Sequence, residues 1–139
     1  MNLMYFRLAA VLFALALPAC AQQNQKQVEL GRYLVENIGQ CAGCHTPKLP
    51  NGELDKSKWM KGAIQDIQPL GTPPANWHKT SPDLTPSGKL WAKWGEGAII
   101  KYLTTGLTPA GKPAGPPMPM YKYTPEHAEA VLAYLKTLK

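Results

Sequence analysis

The sequence predicts an all-α domain that cannot close its core with helices alone. Three observations carry this. Apolar residues recur at helical spacing in three separate segments, and no stretch alternates convincingly at the two-residue period of a strand. Between the first and second segments lies a long run, Thr46 to Lys93, holding Pro47, Pro50, Pro69, Pro73, Pro74, Pro82 and Pro86 and almost no periodicity. Immediately before that run stands Cys41-Ala42-Gly43-Cys44-His45.

The first helix is read from Gln27 to Ile38, with Leu30, Leu34 and Ile38 on one stripe, Val28, Gly31 and Val35 on the adjoining one, and Gly39 as its stop. A second runs from Glu96 to Thr105, places Ala98, Ile99, Tyr102 and Leu103 on one face and ends at Gly106. The third has the fullest set of signals. Thr124 can cap, Pro125 suits the first turn, and Glu126 meets the positive helix end. Ala128, Val131, Leu132, Leu135 and Leu138 then follow at helical spacing.

The pentapeptide has the spacing that covalent attachment of a c-type haem requires. Two thiols three positions apart on one helical turn can each add to a porphyrin vinyl group, and the next residue presents an imidazole to the iron from the same side. Small residues at Ala42 and Gly43 leave room for the macrocycle. A structural zinc site needs four ligands, and the remaining histidines, His78 and His127, lie far apart with no cysteine after Cys44. A thioredoxin-like pair would sit in a βαβ context, which the helical and proline-rich flanks do not supply. One haem per chain also resolves the long loop. Trp59, Leu70, Trp77, Leu84, Trp91 and Trp94 can bury themselves against it, so the porphyrin becomes the core and the apo-chain is expected to fold poorly.

The function turns on the second axial position. A strong ligand there makes an electron carrier, and an open site makes a gas sensor or an oxygen-chemistry enzyme. Pro116-Pro117-Met118-Pro119-Met120 reads as a stiff strap able to hold a thioether at the iron. Met118, restrained by proline on both sides, is the preferred ligand, and Met120 the runner-up. Met60 reads as packing, His78 as an exposed residue with a bis-histidine haem as its alternative, and His127 as a surface position in the last helix. His45 coordinates through one ring nitrogen, and the other should donate to a backbone carbonyl of one of the later prolines.

The chain's first residues read as an export signal. Arg7 and the amino terminus precede the apolar run Leu8 to Leu17, which is too short to span a bilayer. Ala19-Cys20-Ala21 offers a small-x-small cleavage site, making residues 1–21 the leader, 22–26 a flexible linker and 27–139 the domain. Leu17-Pro18-Ala19-Cys20 offers a lipobox instead, with the signal ending at residue 19 and an acylated Cys20 as membrane tether; the idle cysteine tips the balance that way, against an awkward Pro18. Either puts the domain in the periplasm or on an extracytoplasmic membrane surface.

The formal charge of +6 falls to +5 without Arg7, and two haem propionates would take it to about +3. Scattered lysines are an ordinary solvated surface or a docking face for acidic redox partners. No basic cluster with interleaved aromatics points to nucleic acid.

With these residues in hand, Gly31-Arg32-Tyr33-Leu34-Val35, Cys41-Ala42-Gly43-Cys44-His45-Thr46, Leu84-Thr85-Pro86, Lys93-Trp94, Gly106, Pro117-Met118-Pro119 and Ala133-Tyr134-Leu135 together resemble a class I c-type cytochrome. The pattern is most similar to the mono-haem domains found with bacterial periplasmic dehydrogenases and covers Val28 to Leu138. The resemblance implies a small cytochrome c fold of three to five helices, wrapped with long loops around one covalently bound haem. It implies a crossing in which Gly31 lets the aromatic Tyr134 of the last helix approach, and a distal ligand at Met118. Trp94 matches a tryptophan that often packs near a haem propionate, and plain core packing explains it equally well. Asp83 stands where asparagine is usual, Met120 is an extra methionine, and Thr46–Lys79 matches no family pattern. The resulting expectation is an electron-transfer protein with no catalytic residue, a monomer or complex subunit that acts as a free shuttle or as the fixed electron-transfer subunit of a dehydrogenase or oxidase.

Overall fold

The computed structural model describes residues 21–139. The apolar leader and Cys20 lie outside the described residues. Helix α1 occupies residues 21–33 and widens into a π-helical turn over Leu34–Ile38. It begins before the predicted Gln27, so residues 22–26, expected as a flexible linker, are helical. They hold glutamine and lysine, good helix formers, with no proline or glycine, and Gln25 Nε2 donates to Glu29 Oε1 one turn on (3.4 Å). Apolar periodicity misses them because they are exposed; it reports burial rather than helicity.

The buried stripe of α1 is Gly31, Leu34 and Val35, whereas Leu30 and Ile38, predicted to be buried, face solvent. At the helix end Gly39 keeps helical dihedrals, and the left-handed residue is Gln40, with φ 48°. Gly39 is needed for close approach instead: a β-carbon there would lie 3.0 Å from the Tyr123 hydroxyl and 3.1 Å from Cys41 Sγ. Helix α2, Ala42–His45, is a single turn entered through Cys41.

The proline-rich run is ordered by hydrogen bonds to its surroundings. Strand β1 (Ala63–Ile64) pairs antiparallel with β2 (Thr80–Ser81). The Gly62 amide donates to the His45 carbonyl (2.8 Å), the Met60 amide to Thr46 Oγ1 (3.0 Å) and the Leu84 amide to the Met60 carbonyl (2.8 Å). Met60 is completely buried and belongs to the packed core.

Helix α3 (Lys89–Thr105) is interrupted at Gly95, whose φ of 72° only glycine adopts readily. Its second half, 96–105, is the predicted segment, and Gly106 closes it in the left-handed conformation. The first half carries Trp91 and Trp94, three positions apart, in place of the predicted loop. Helix α4 (Pro125–Leu135) opens on Thr124, whose hydroxyl accepts from the His127 amide (3.3 Å), and stops before Leu138. His127 is partly exposed in that first turn.

Helix α4 packs on α3 and on the π turn of α1, burying Leu34, Val35, Ile99, Val131, Leu132 and Leu135. The α1–α4 crossing is close enough that a β-carbon on Gly31 would run into the Ala130 carbonyl and come within 2.9 Å of Tyr134 Cβ. Tyr134 then locks the crossing through hydrogen bonds: its hydroxyl donates to Glu36 Oε1 (2.5 Å) and accepts from Trp59 Nε1 (3.3 Å). No helix among the described residues is long and apolar enough to cross a membrane.

This crossing can be tested by unfolding the haem-loaded protein. Gly31→Ala should cost at least about 2 kcal/mol by overpacking. Gly97→Ala, where a β-carbon meets nothing within 4 Å, should stabilise by about 0.5 kcal/mol through the unfolded chain; equal effects at the two positions would contradict the crossing. Tyr134→Phe should cost about 1–2 kcal/mol by orphaning its two partners. Burial, with the Glu36 hydrogen bond behind it, pushes the Tyr134 phenol from 10.0 up to about 12. The folded state therefore holds that proton where the unfolded chain releases it. The contribution is whole below pH 10 and drains away as pH rises from 10 to 12, a decline that Tyr134→Phe should flatten.

Candidate functional site

A cavity of about 350 Å³ lies between α2, the β1–β2 ladder, α3, α4 and the proline strap. Its walls are overwhelmingly apolar: Val35, Leu84, Trp91, Ile99, Leu103 and Leu135 are among them. That size and polarity suit a large apolar ligand rather than a hydrated polar one. Into it the fold brings Cys41, Cys44, His45, Trp94 and Met118 together.

The Cys41–His45 turn is held from several sides. Gln65 Nε2 (2.9 Å) and Ser81 Oγ (2.5 Å) both donate to the Cys44 carbonyl. His45 is almost wholly buried, and its Nδ1 lies 2.8 Å from the Pro82 carbonyl. A carbonyl only accepts, so Nδ1 carries the proton and Nε2 keeps its lone pair. Burial pushes the imidazole below its ordinary pKa, and the Pro82 contact opposes this only in part. The ring is thus neutral, the form that binds a metal. Burial also raises the Cys41 thiol to about 11. No disulfide joins the two cysteines. Ala42 packs in the core and Gly43 faces open space. Neither lines the cavity.

The strap enters through a tight turn, where the Thr108 amide and hydroxyl both donate to the Lys112 carbonyl (2.8 Å each). It is pressed on the 76–78 segment: the His78 amide donates to the Pro116 carbonyl (2.8 Å), and a β-carbon on Gly115 would meet the Asn76 carbonyl and His78 Cδ2. Beyond the methionines the Tyr121 hydroxyl donates to the Gly39 carbonyl (2.7 Å), and Tyr121 stacks on Tyr123 at 5.3 Å. The chain turns at Pro116–Pro117 instead of running fully extended, and the two methionines part company. Met118 lines the cavity, whereas Met120 is half-exposed and covers Gly106. His78 also lines the cavity, from an exposed position at its rim.

Among the tryptophans and leucines expected to wrap a cofactor, Leu84, Trp91 and Trp94 line the cavity. Trp59 packs against the core beside Tyr134, Trp77 is half-buried away from the lining, and Leu70 is fully exposed. Four polar contributors were not singled out from sequence: Gln65, Ser81, Tyr121 and Tyr102. Only Tyr102 carried a signal, its place on the apolar face of the second predicted helix. Its hydroxyl is the one buried side-chain polar atom without a hydrogen-bond partner among the described residues, on a ring set edge-to-face against Trp94 (5.5 Å). A donor left unmet in the wall of an apolar cavity is what a polar-fringed, flat cofactor would satisfy. A haem therefore fits the residues present: apolar walls, a thiol pair, a neutral imidazole, a thioether and one waiting hydroxyl. Among the described residues no group of three or more His, Cys, Asp or Glu is placed to hold a metal ion by itself.

Comparison with known proteins bears on the same point. The chain is 38% identical over 113 residues to a "Diheme cytochrome c-type" protein of Cereibacter sphaeroides, covering 78% of this chain and 34% of that one. It is 29% identical over 123 residues to a nicotinate dehydrogenase subunit of Pseudomonas putida, covering 84% and 9%. It is 26% identical over 113 residues to the "Fructose dehydrogenase cytochrome subunit" of Gluconobacter japonicus, covering 78% and 21%. The chain thus spans about a third or less of the length of these relatives. Residues 28–139 match the family model Cytochrome c, and with the mainly helical fold and the C-x-x-C-H turn at the cavity wall, the chain belongs to the cytochrome c family of electron-transfer proteins, whose haem is bound covalently.

Proposed function

We propose that this chain is a mono-haem, one-electron carrier working outside the cytoplasm, with Cys41 and Cys44 as attachment points and His45 Nε2 and Met118 Sδ as axial ligands. The observation that carries this reading is the convergence of those four side chains on one apolar cavity. When bound, haem supplies one-electron exchange between ferrous and ferric iron with no atom transferred.

The chain's own residues contribute rigidity and exclusion of water. His45 cannot rotate without breaking its bond to Pro82, and the Cys41–His45 backbone cannot shift without breaking those to Gln65, Ser81 and Gly62. The strap, pinned by His78 on one side and Tyr121 on the other, holds Met118 in place. Little therefore rearranges between oxidation states. A thioether so held argues against an open site for gas binding or oxygen chemistry. Trp94 and Tyr102 sit together where they can serve the cofactor's polar fringe.

A second reading, a fixed component of a dehydrogenase complex, is favoured by the relatives. Two of the three are named as dehydrogenase subunits, in which the matched region is a small part of a longer chain. An exported position, with or without a lipid at Cys20, fits either reading. The two differ in whether a dehydrogenase stays bound through purification at low salt.

The ligand assignment is tested by spectroscopy of the matured ferric protein. Met118→Ala should abolish the charge-transfer band of thioether-bound iron, lower the reduction potential and let the ferrous form take up carbon monoxide rapidly. Met120→Ala should leave all three unchanged. The reverse pattern would move the ligand to Met120, and an intact band in both variants would reject the strap. Cys41→Ala together with Cys44→Ala should leave no covalently bound haem in the denatured chain.

A further inference from the structure

We propose that the 61–81 hairpin of this chain is a docking surface for a protein partner whose contact face has an apolar centre fringed with carboxylates. This inference rests on the carrier reading above and adds the face used and the chemistry it selects.

The segment is unusual in what it shows to water. Ile64 is 83% exposed, Ile67 about half so, and Leu70 entirely. All three fall within seven residues and none joins the packed core, whereas scattered single exposures would need no explanation. Pro69, Pro73 and Pro74 stiffen the same excursion, so burying it against a partner orders little that is not already ordered.

Charge selects the partner. Across residues 61–81 the charged side chains are Lys61, Asp66 and Lys79. Asp66 is taken by Lys48 at 2.5 Å, and the other two ion pairs among the described residues involve neither Lys61 nor Lys79. Those lysines flank the ladder, Lys61 just before β1 and Lys79 just before β2. The lysines without an ion-pair partner give the patch a positive excess over Asp66, which Lys48 neutralises, and Asp83, which lies beside Gly62; this favours an acidic surface over a basic one.

Position gives the patch its use. Gln65, next to Ile64, lines the cavity and donates to the Cys44 carbonyl, and Thr80 and Ser81 line it from the other strand. A partner seated on Ile64 is thus separated from the Cys44 side of the site by one two-stranded ladder. An anionic membrane would meet the same residues, but two lysines are few for holding a protein on lipid.

The experiment uses matured protein on gold electrodes coated with carboxylate-terminated or mixed carboxylate- and methyl-terminated alkanethiols, reading adsorption and electron-exchange rate. Wild type should exchange faster on the mixed film. Ile64→Ser with Leu70→Ser should remove that advantage, roughly a tenfold loss, with the haem spectrum unchanged. Lys61→Glu with Lys79→Glu should weaken adsorption on both films and flatten the salt dependence. Tyr33→Ser, which removes an exposed aromatic from α1, should change nothing. Hairpin variants indistinguishable from wild type, or an equal loss from Tyr33→Ser, would overturn the proposal. So would selective loss of binding to vesicles of phosphatidylglycerol and phosphatidylcholine with no change at the electrode, which would assign the patch to lipid. A wild type without any redox wave takes down the carrier reading and the patch with it, whereas a normal wave with indifferent hairpin variants sinks the patch alone.

Discussion

The hydrogen bond from His45 Nδ1 to the Pro82 carbonyl, 2.8 Å long and made by an almost wholly buried ring, is the contact to which the rest of the site is referred. It joins a single helical turn to a loop 37 residues away, and it governs three things at once. It chooses the tautomer, fixes the ring plane, and makes Pro82 part of the cavity wall. Burial keeps the ring neutral, and the Pro82 contact opposes that only in part, so the bond fixes the tautomer without charging the ring. The other ties of this turn, from Gly62, Gln65 and Ser81 to the carbonyls of Cys44 and His45, all come from the same hairpin. The long irregular segment is best understood as the clamp on that turn.

A second constraint follows from the first. With one side of the cavity made of loop, the opposite side must be made rigid by helices, and the close α1–α4 crossing at Gly31 does this. It leaves Val131 and Leu135 as cavity wall while Ala128 and Ala130 are sealed in the core. The Glu36–Tyr134–Trp59 bonds tie the crossing to the same irregular segment that clamps His45. The two walls are thus coupled through side-chain hydrogen bonds rather than through a continuous sheet or bundle.

How much of this was legible in sequence depends on the range of the determining interaction. Local signals carried well: the Thr124-Pro125-Glu126 start of α4, the 96–105 helix with its Gly106 stop, and the C-x-x-C-H turn depend on neighbours within a few residues. Periodicity misled where exposure and helicity part, as at residues 22–26 and Leu30, and where the π turn rotates the face of α1 and exposes Ile38. The proline content of 46–93 announced an absence of periodicity but not the pairing of Ala63–Ile64 with Thr80–Ser81, which is a long-range contact. Leu70 is the sharpest failure. Its hydrophobicity pointed inward, and no periodicity around it separates it from Leu84, which lines the cavity. Met118 and Met120 illustrate the same limit, since their divergence accompanies a turn at Pro116–Pro117 that a reading of a stiff strap does not specify.

The exposed hairpin suits the carrier proposed above, which would meet its partner by diffusion. Steering by uncompensated lysines raises the rate of encounter, and a small apolar centre gives the encounter complex a preferred orientation without making it long-lived. An electron carrier needs both a fast arrival and a fast departure. A surface of three aliphatic side chains and two lysines, set on a stiff loop beside the Cys44 turn, meets that requirement better than a large apolar interface, which would hold the partner after the electron had moved.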